Sequence, residues 1–116
     1  MMRERNKYGV LLDRAGREAR TADGILFASQ REKDRYLELR MLLRCGEITD
    51  LVLQERFALV VTGVETVRIG EYRADFSYTD KAGARVREDA KGVRTANFIM
   101  KKKLVRACHG IDIREV

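Results

Sequence analysis

"YRADFSYTDKAGARVREDAKG", residues 72–92, decides the fold, because it reads as a β-hairpin with chemistry on one face. Tyr72, Ala74, Phe76 and Tyr78 alternate with Arg73, Asp75 and Ser77, the period of a strand with one buried side. Asp80-Lys81-Ala82-Gly83 follows as a type I turn with Gly83 where a positive φ is required, so the residues after it form the returning strand. With a three-residue loop Asp80 opposes Ala84. Counting onward sets Asp75 opposite Asp89, with Cβ atoms about 5 Å apart. Lys91 then projects from the same face, while Tyr72, Phe76, Val86 and Glu88 point to the other. A four-residue loop pairs Asp75 with Glu88 instead, and the sequence leaves both registers open.

Working outward, Ser29 and Glu32 form an S-x-x-E capping box. Tyr36, Leu39, Leu42 and Leu43 recur at helical spacing and Gly46 closes the segment, which predicts a helix over 30–45. "ITDLVLQERFALVVTG", residues 48–63, reads as a strand, with Gln54 as a polar residue of an edge strand ahead of the alternative, an amide facing the site. After Gly92, the positions of Phe98, Leu104, Val105 and Cys108 predict a second helix stopped by Gly110, and "IDIREV" a closing strand. The order is α-β-β-β-α-β, which we read as an α/β (α+β) domain over 23–116. Residues 1–22, with Arg3, Arg5, Lys7, Arg14, Arg17 and Arg20, read as a basic N-terminal arm, flexible or weakly strand-like.

The chain has 116 residues, a length for one core. Lys and Arg outnumber Asp and Glu by 24 to 18, a net charge of +6 that favours a polyanion as partner. Cys45 and Cys108 make no metal-binding spacing and read as idle thiols. No apolar run spans a membrane and the first residues lack a signal peptide, so we expect no membrane partner and a cytoplasmic location.

Facing carboxylates repel, so the Asp75–Asp89 pair calls for a cation, and a hard divalent ion such as Mg²⁺ (or Mn²⁺) accepts oxygen ligands. Two carboxylates and a backbone carbonyl could hold it, and Lys91 could orient or help deprotonate an attacking water; that is equipment for phosphodiester hydrolysis. The alternative, which spacing alone favours, is a polar strand face whose Asp75, Asp89, Arg73, Arg87 and Lys91 form cross-strand ion pairs. From Lys81 to Arg106 nine basic residues face two acids. Lys101, Lys102 and Lys103 on the second helix, with Arg94 and Arg87, are the candidate phosphate contacts, which predicts salt-sensitive binding with little base specificity. His109, just past a helix end, reads as a cap for helix carbonyls. An RNA-binding role ranks last, since Phe and Tyr fall mostly on core faces.

"AD" at 74–75 and "DAK" at 89–91, on adjacent strands in this element order, resemble the PD-(D/E)XK nuclease superfamily. "KYG", "DGILFASQRE", "YLELRMLLRCGEI", "LVLQERFAL", "YRADFSYTD", "EDAKG" and "KKKL" resemble, more closely, a phage and prophage family of that superfamily catalogued as a domain of unknown function. The resemblance runs from Lys7 to Val116. It implies a restriction-endonuclease-like core with a mixed central sheet flanked by helices, Mg²⁺-dependent DNA cleavage, and homodimers. Holliday-junction resolvases of this size suggest branched DNA as substrate and phage recombination or replication proteins as partners. Asp75 and Asp89 match the motif acids, Lys91 the motif lysine, and Ala90 the residue whose carbonyl touches metal. Glu32 falls where many members carry a further acid, although its capping box explains it equally well. Ala74 stands where the superfamily has proline. The alternative on the same scaffold is a non-catalytic DNA- or protein-binding module.

Overall fold

In the computed structural model, which describes residues 3–6 and 10–116, the chain runs α1 (Arg14–Ala19), β1 (Thr21–Ala22), β2 (Ile25–Leu26), α2 (Gln30–Arg44), β3 (Ile48–Thr62), β4 (Thr66–Asp80), β5 (Arg85–Asp89), α3 (Ala96–His109) and β6 (Ile113–Glu115). The last six form the α-β-β-β-α-β core. β3 through β6 make a four-stranded sheet in sequence order. β3–β4 and β4–β5 are antiparallel, while β5 and β6, joined through α3, are parallel. The sheet is therefore mixed and flanked by helices.

The β4–β5 turn fixes the register. Gly83 takes φ +89°, its N–H donates to the Asp80 carbonyl at 3.0 Å, and Asp80 and Ala84 face each other through a 2.8 Å bond. The Asp80 carboxylate also accepts from the Ala84 N–H at 2.9 Å. The ladder then runs Thr79↔Arg85, Tyr78↔Val86, Ser77↔Arg87 and Phe76↔Glu88, which is the three-residue register and excludes the pairing of Asp75 with Glu88. Asp75 comes next beside Asp89.

Each core helix is set by its caps. Ser29 accepts from the Glu32 N–H, and Thr95 from that of Phe98, both at 3.1 Å, while Gly110 ends α3 in the left-handed region. α2 lays Tyr36 and Leu39 against Phe27, Ile48, Phe76 and Tyr78. α3 lays Phe98 and Val105 against Leu59, Tyr72, Ala74 and Ile113. β4 thus feeds both clusters from the alternating positions that mark it as a strand. Beyond the sheet, β3 and β4 continue as a two-stranded arm, exposed from residue 61 to 69.

The N-terminal segment departs from the expected arm. Residues 14–19 are a helix, capped by Asp13, whose carboxylate accepts from the Gly16 N–H at 2.8 Å. Gly16 is needed there because a Cβ would lie 2.6 Å from that of Leu11. β1 pairs with β2 through Ala22↔Ile25, and buried Arg20 donates to the carbonyls of Phe27 and Leu11, tying the segment to the body. A six-residue helix with an internal glycine has too few turns to show apolar periodicity, so it left no trace in the pattern. The whole "KYG" stretch, residues 7–9, lies outside the described residues. Among the described residues no helix is long and apolar enough to cross a membrane.

Candidate active site

Three elements and the loop after β5 bring side chains to the place where β5 ends beside β4. β4 contributes Asp75, β5 contributes Asp89, α2 contributes Glu32 from its first turn, and Lys91 follows two residues after Asp89. The backbone N–H of Ala90 donates to Asp75 Oδ2 at 2.9 Å, and that of Asp75 to Asp89 Oδ1 at 3.3 Å. The two aspartates hold each other's strands as well as standing side by side. Glu32 is buried, and its carboxylate faces this group rather than serving only the helix end.

Two clefts open onto the cluster and share Ala28, Glu32, Asp75 and Lys91. One, of about 270 Å³, continues past Ser29 and Thr95; the other, of about 400 Å³, continues past Leu53, Gln54 and Arg73. The arrangement is an acidic ridge crossing a trough, suited to a chain that passes through it rather than to a small molecule enclosed by it. Lys91 Nζ lies 4.8 Å from the centre of the Phe98 ring, a cation–π contact that aims the ammonium across the trough.

Gln54 is exposed on the edge strand β3, as expected, and its amide also reaches this site. Its Nε2 lies 3.3 Å from Glu32 Oε1 and 3.5 Å from Asp75 Oδ1, spanning the two acids. Its backbone φ is +58°. A left-handed conformation costs a residue other than glycine roughly 1–2 kcal/mol, and such strain gathers at functional sites. Tyr72 was expected to point away from the acids, yet its hydroxyl donates to Asp89 Oδ2. The β4–β5 ladder ends at Phe76↔Glu88, so strict alternation no longer governs Asp89, whose carboxylate turns into the buried edge at 1% exposure. Glu88 does face the other way, as the register requires.

The electrostatics are those of carboxylates short of positive charge. Burial, and then the neighbouring Asp75, push Glu32 up to about 7. Burial pushes Asp89 up to about 6 and raises Asp75, with Lys91 opposing both shifts. Each folded-state pKa lies above its unfolded value, so the folded protein holds these protons more tightly. The stability this confers is full below the unfolded values and is lost as pH rises through the folded ones. For Glu32 the window runs from 4.5 to about 7. Glu32→Gln should accordingly raise the melting temperature of the cation-free protein by a few degrees above pH 7, and flatten its decline across that window. Circular dichroism melts over a pH series measure this; an unchanged pH profile would place the strain elsewhere.

Among the described residues no three acidic, histidine or cysteine side chains are gathered at ligating distance. Glu32 and Asp75 line the clefts, while Asp89 is buried directly behind Asp75, so the donors do not close a cage. The basic residues expected to meet phosphate are dispersed. Arg94 and Lys102 both pair with Glu115, at 2.7 and 2.8 Å, next to Asp89 across the parallel β5–β6 pair. Arg87 pairs with Glu55 at 3.1 Å and covers Phe57, so it is committed to the sheet. Lys101 is half-buried and Lys103 exposed on α3. His109 reaches the Ala58 carbonyl on β3 at 2.6 Å instead of capping its own helix, and Cys108 contacts Val60 beside it. Cys45 and Cys108 are free thiols.

Fold and site together define a mixed α+β domain carrying an acid–lysine cluster over an open trough. A family model described as "Protein of unknown function (DUF1064)" matches residues 14–114, and the chain belongs to that family. Comparisons with curated proteins and with solved structures return no match.

Proposed function

We propose that this protein is a divalent-cation-dependent DNA endonuclease of the PD-(D/E)XK type, with a restriction-endonuclease-like core. The observation that carries the reading is the convergence of Glu32, Asp75 and Lys91 on an open trough, with Asp89 buried against Asp75 at its floor, on an α-β-β-β-α-β core. The donor set suits Mg²⁺ or Mn²⁺: all are hard oxygens, and their raised pKa values mark a site that gains from a cation. Mg²⁺ keeps several waters and needs only one or two protein carboxylates, so a lined cleft is enough. Bound there, the ion would supply Lewis-acid polarisation of a phosphate oxygen and a more acidic water.

The chain's own residues do the rest. Asp75 and Asp89 supply the principal carboxylates, Glu32 a third, and Ala90 its carbonyl. Tyr72 fixes the rotamer of Asp89 from behind. Lys91, tethered over Phe98, orients the attacking water and offsets charge on the phosphoryl oxygens in the transition state. The trough would admit a sugar–phosphate chain, and Lys101 and Lys103 on α3, which lie outside its lining, would be contacts for a longer stretch of backbone. Branched DNA of phage or prophage origin is the substrate we favour, by analogy with resolvases. A symmetric junction cut on two strands requires two such sites, hence a homodimer.

Two measurements test the reading. Mg²⁺ or Mn²⁺ at millimolar concentration should raise the melting temperature, since a ligand that binds only the folded state stabilises it. Linear, forked and four-way DNA incubated with protein and Mg²⁺ should be cut on at least one form. A melt indifferent to both ions, with every DNA left intact, would instead indicate a binding module on this scaffold.

A further inference from the structure

We propose that Gln54 is a positioning residue that presents Glu32 and Asp75 jointly to one divalent cation, a role that rests on the nuclease reading above. Glu32 sits on α2, Asp75 on β4 and Gln54 on β3, so three independent elements meet at one amide. Its Nε2 lies 3.3 Å from Glu32 Oε1 and 3.5 Å from Asp75 Oδ1. An amide nitrogen carries two hydrogens and can serve two acceptors at once, leaving Oε1 to accept from water or ligand. Glu32 is buried and its carboxylate is also held by the backbone of Ala28, so the Gln54 amide adds the contact that ties it to Asp75 on β4.

Residue type and backbone point the same way. A left-handed position on an edge strand is cheapest for glycine, and asparagine also tolerates it. Glycine has no side chain to bridge the acids, and asparagine is one methylene shorter than the residue that makes the 3.3 Å contact. Lysine or arginine could reach, yet a fixed cation between the carboxylates would take the place of the mobile one. Glutamine alone spans the gap without adding charge, at a backbone conformation, φ +58°, that does not favour it. Loss of a hydrogen bond that orients a ligating group commonly costs about 10–100-fold in metal affinity.

The test needs no DNA and uses the full chain. Melting temperatures of wild type, Gln54→Asn, Gln54→Gly and Gln54→Lys are measured without divalent cation and across a Mg²⁺ titration. Gln54→Asn and Gln54→Gly should melt cooperatively without Mg²⁺, and need about tenfold more of it for half of the full stabilisation. Gln54→Lys should melt higher than wild type without Mg²⁺ and gain almost nothing from it. Should one variant fail to fold, the remaining two still decide. If the wild type responds to Mg²⁺ and all folded variants respond at the same concentration, Gln54 has no positioning role. If the wild type itself is indifferent to Mg²⁺, there is no cation for Gln54 to position and this inference falls, while DNA cleavage decides the nuclease reading separately.

Discussion

Arg35→Ala should destabilise the protein by about 3–5 kcal/mol, the cost of stranding a buried charge by removing its partner. Arg35 on α2 grips Glu88 with two parallel bonds, Nε to Oε1 at 2.8 Å and Nη2 to Oε2 at 2.7 Å. Glu88 is fully buried, and the Tyr78 hydroxyl donates to the same carboxylate at 2.5 Å. Paired, the three groups satisfy one another and lock α2 to β5 and β4. Without the guanidinium, a carboxylate remains inside with a single hydroxyl donor, and the net gain of the pair becomes a desolvation cost. The pair itself is weak evidence for stability, since well-packed apolar replacements often do as well. The triple variant Arg35→Met, Glu88→Leu and Tyr78→Phe should therefore recover most of what Arg35→Ala loses. Urea unfolding of the three proteins measures both numbers. A loss below about 1 kcal/mol in the single variant would mean that water reaches Glu88 once Arg35 is gone.

That interaction was invisible in the sequence, and the reason is physical. Arg35 and Glu88 are 53 positions apart, and no local rule couples an arginine on a helix face to a glutamate on a strand. What could be read was local. The Asp80–Gly83 turn set the β4–β5 register, which set Asp75 beside Asp89. Ser29 and Gly46 bracketed α2. Patterns that a tertiary contact overrides were read less well. Alternation sent Tyr72 away from the acids, but β5 ends at Asp89 and its side chain swings back to the tyrosine hydroxyl. Gln54 was read as a polar residue of an edge strand, which it is; its reach to Glu32 and Asp75 and its positive φ leave no mark in the residue order. Charge counting overstated the free basic surface, because Glu55 and Glu115 had not been matched to Arg87, Arg94 and Lys102. Glu32 was equally a cap and a ligand on paper. Its backbone N–H serves the cap while its carboxylate faces Asp75, so one residue does both.

On the proposed reading, Asp89→Ala and Lys91→Met should each lower the DNA cleavage rate by roughly 10²–10⁴-fold, but through separable losses. Asp89→Ala removes a carboxylate that would hold the cation, so the Mg²⁺-induced rise in melting temperature should shrink together with the rate. Without cation the same variant should gain stability above pH 7, because burial has pushed the Asp89 carboxyl up to about 6 and the folded state is strained by its ionisation. Lys91→Met keeps an unbranched apolar stem against the Phe98 ring and removes only the ammonium. That charge stabilises the ionised forms of Glu32, Asp75 and Asp89, so its loss leaves the acids more in need of a cation. Mg²⁺ should then stabilise Lys91→Met at least as strongly as wild type, while cleavage falls. A residue that only balances charge would show the first effect without the second, since Mg²⁺ could replace it. Parallel melts and single-turnover cleavage at saturating Mg²⁺ separate the two cases. Cleavage by Lys91→Met at the wild-type rate would reduce the lysine to a counter-ion and leave the carboxylates to act without it.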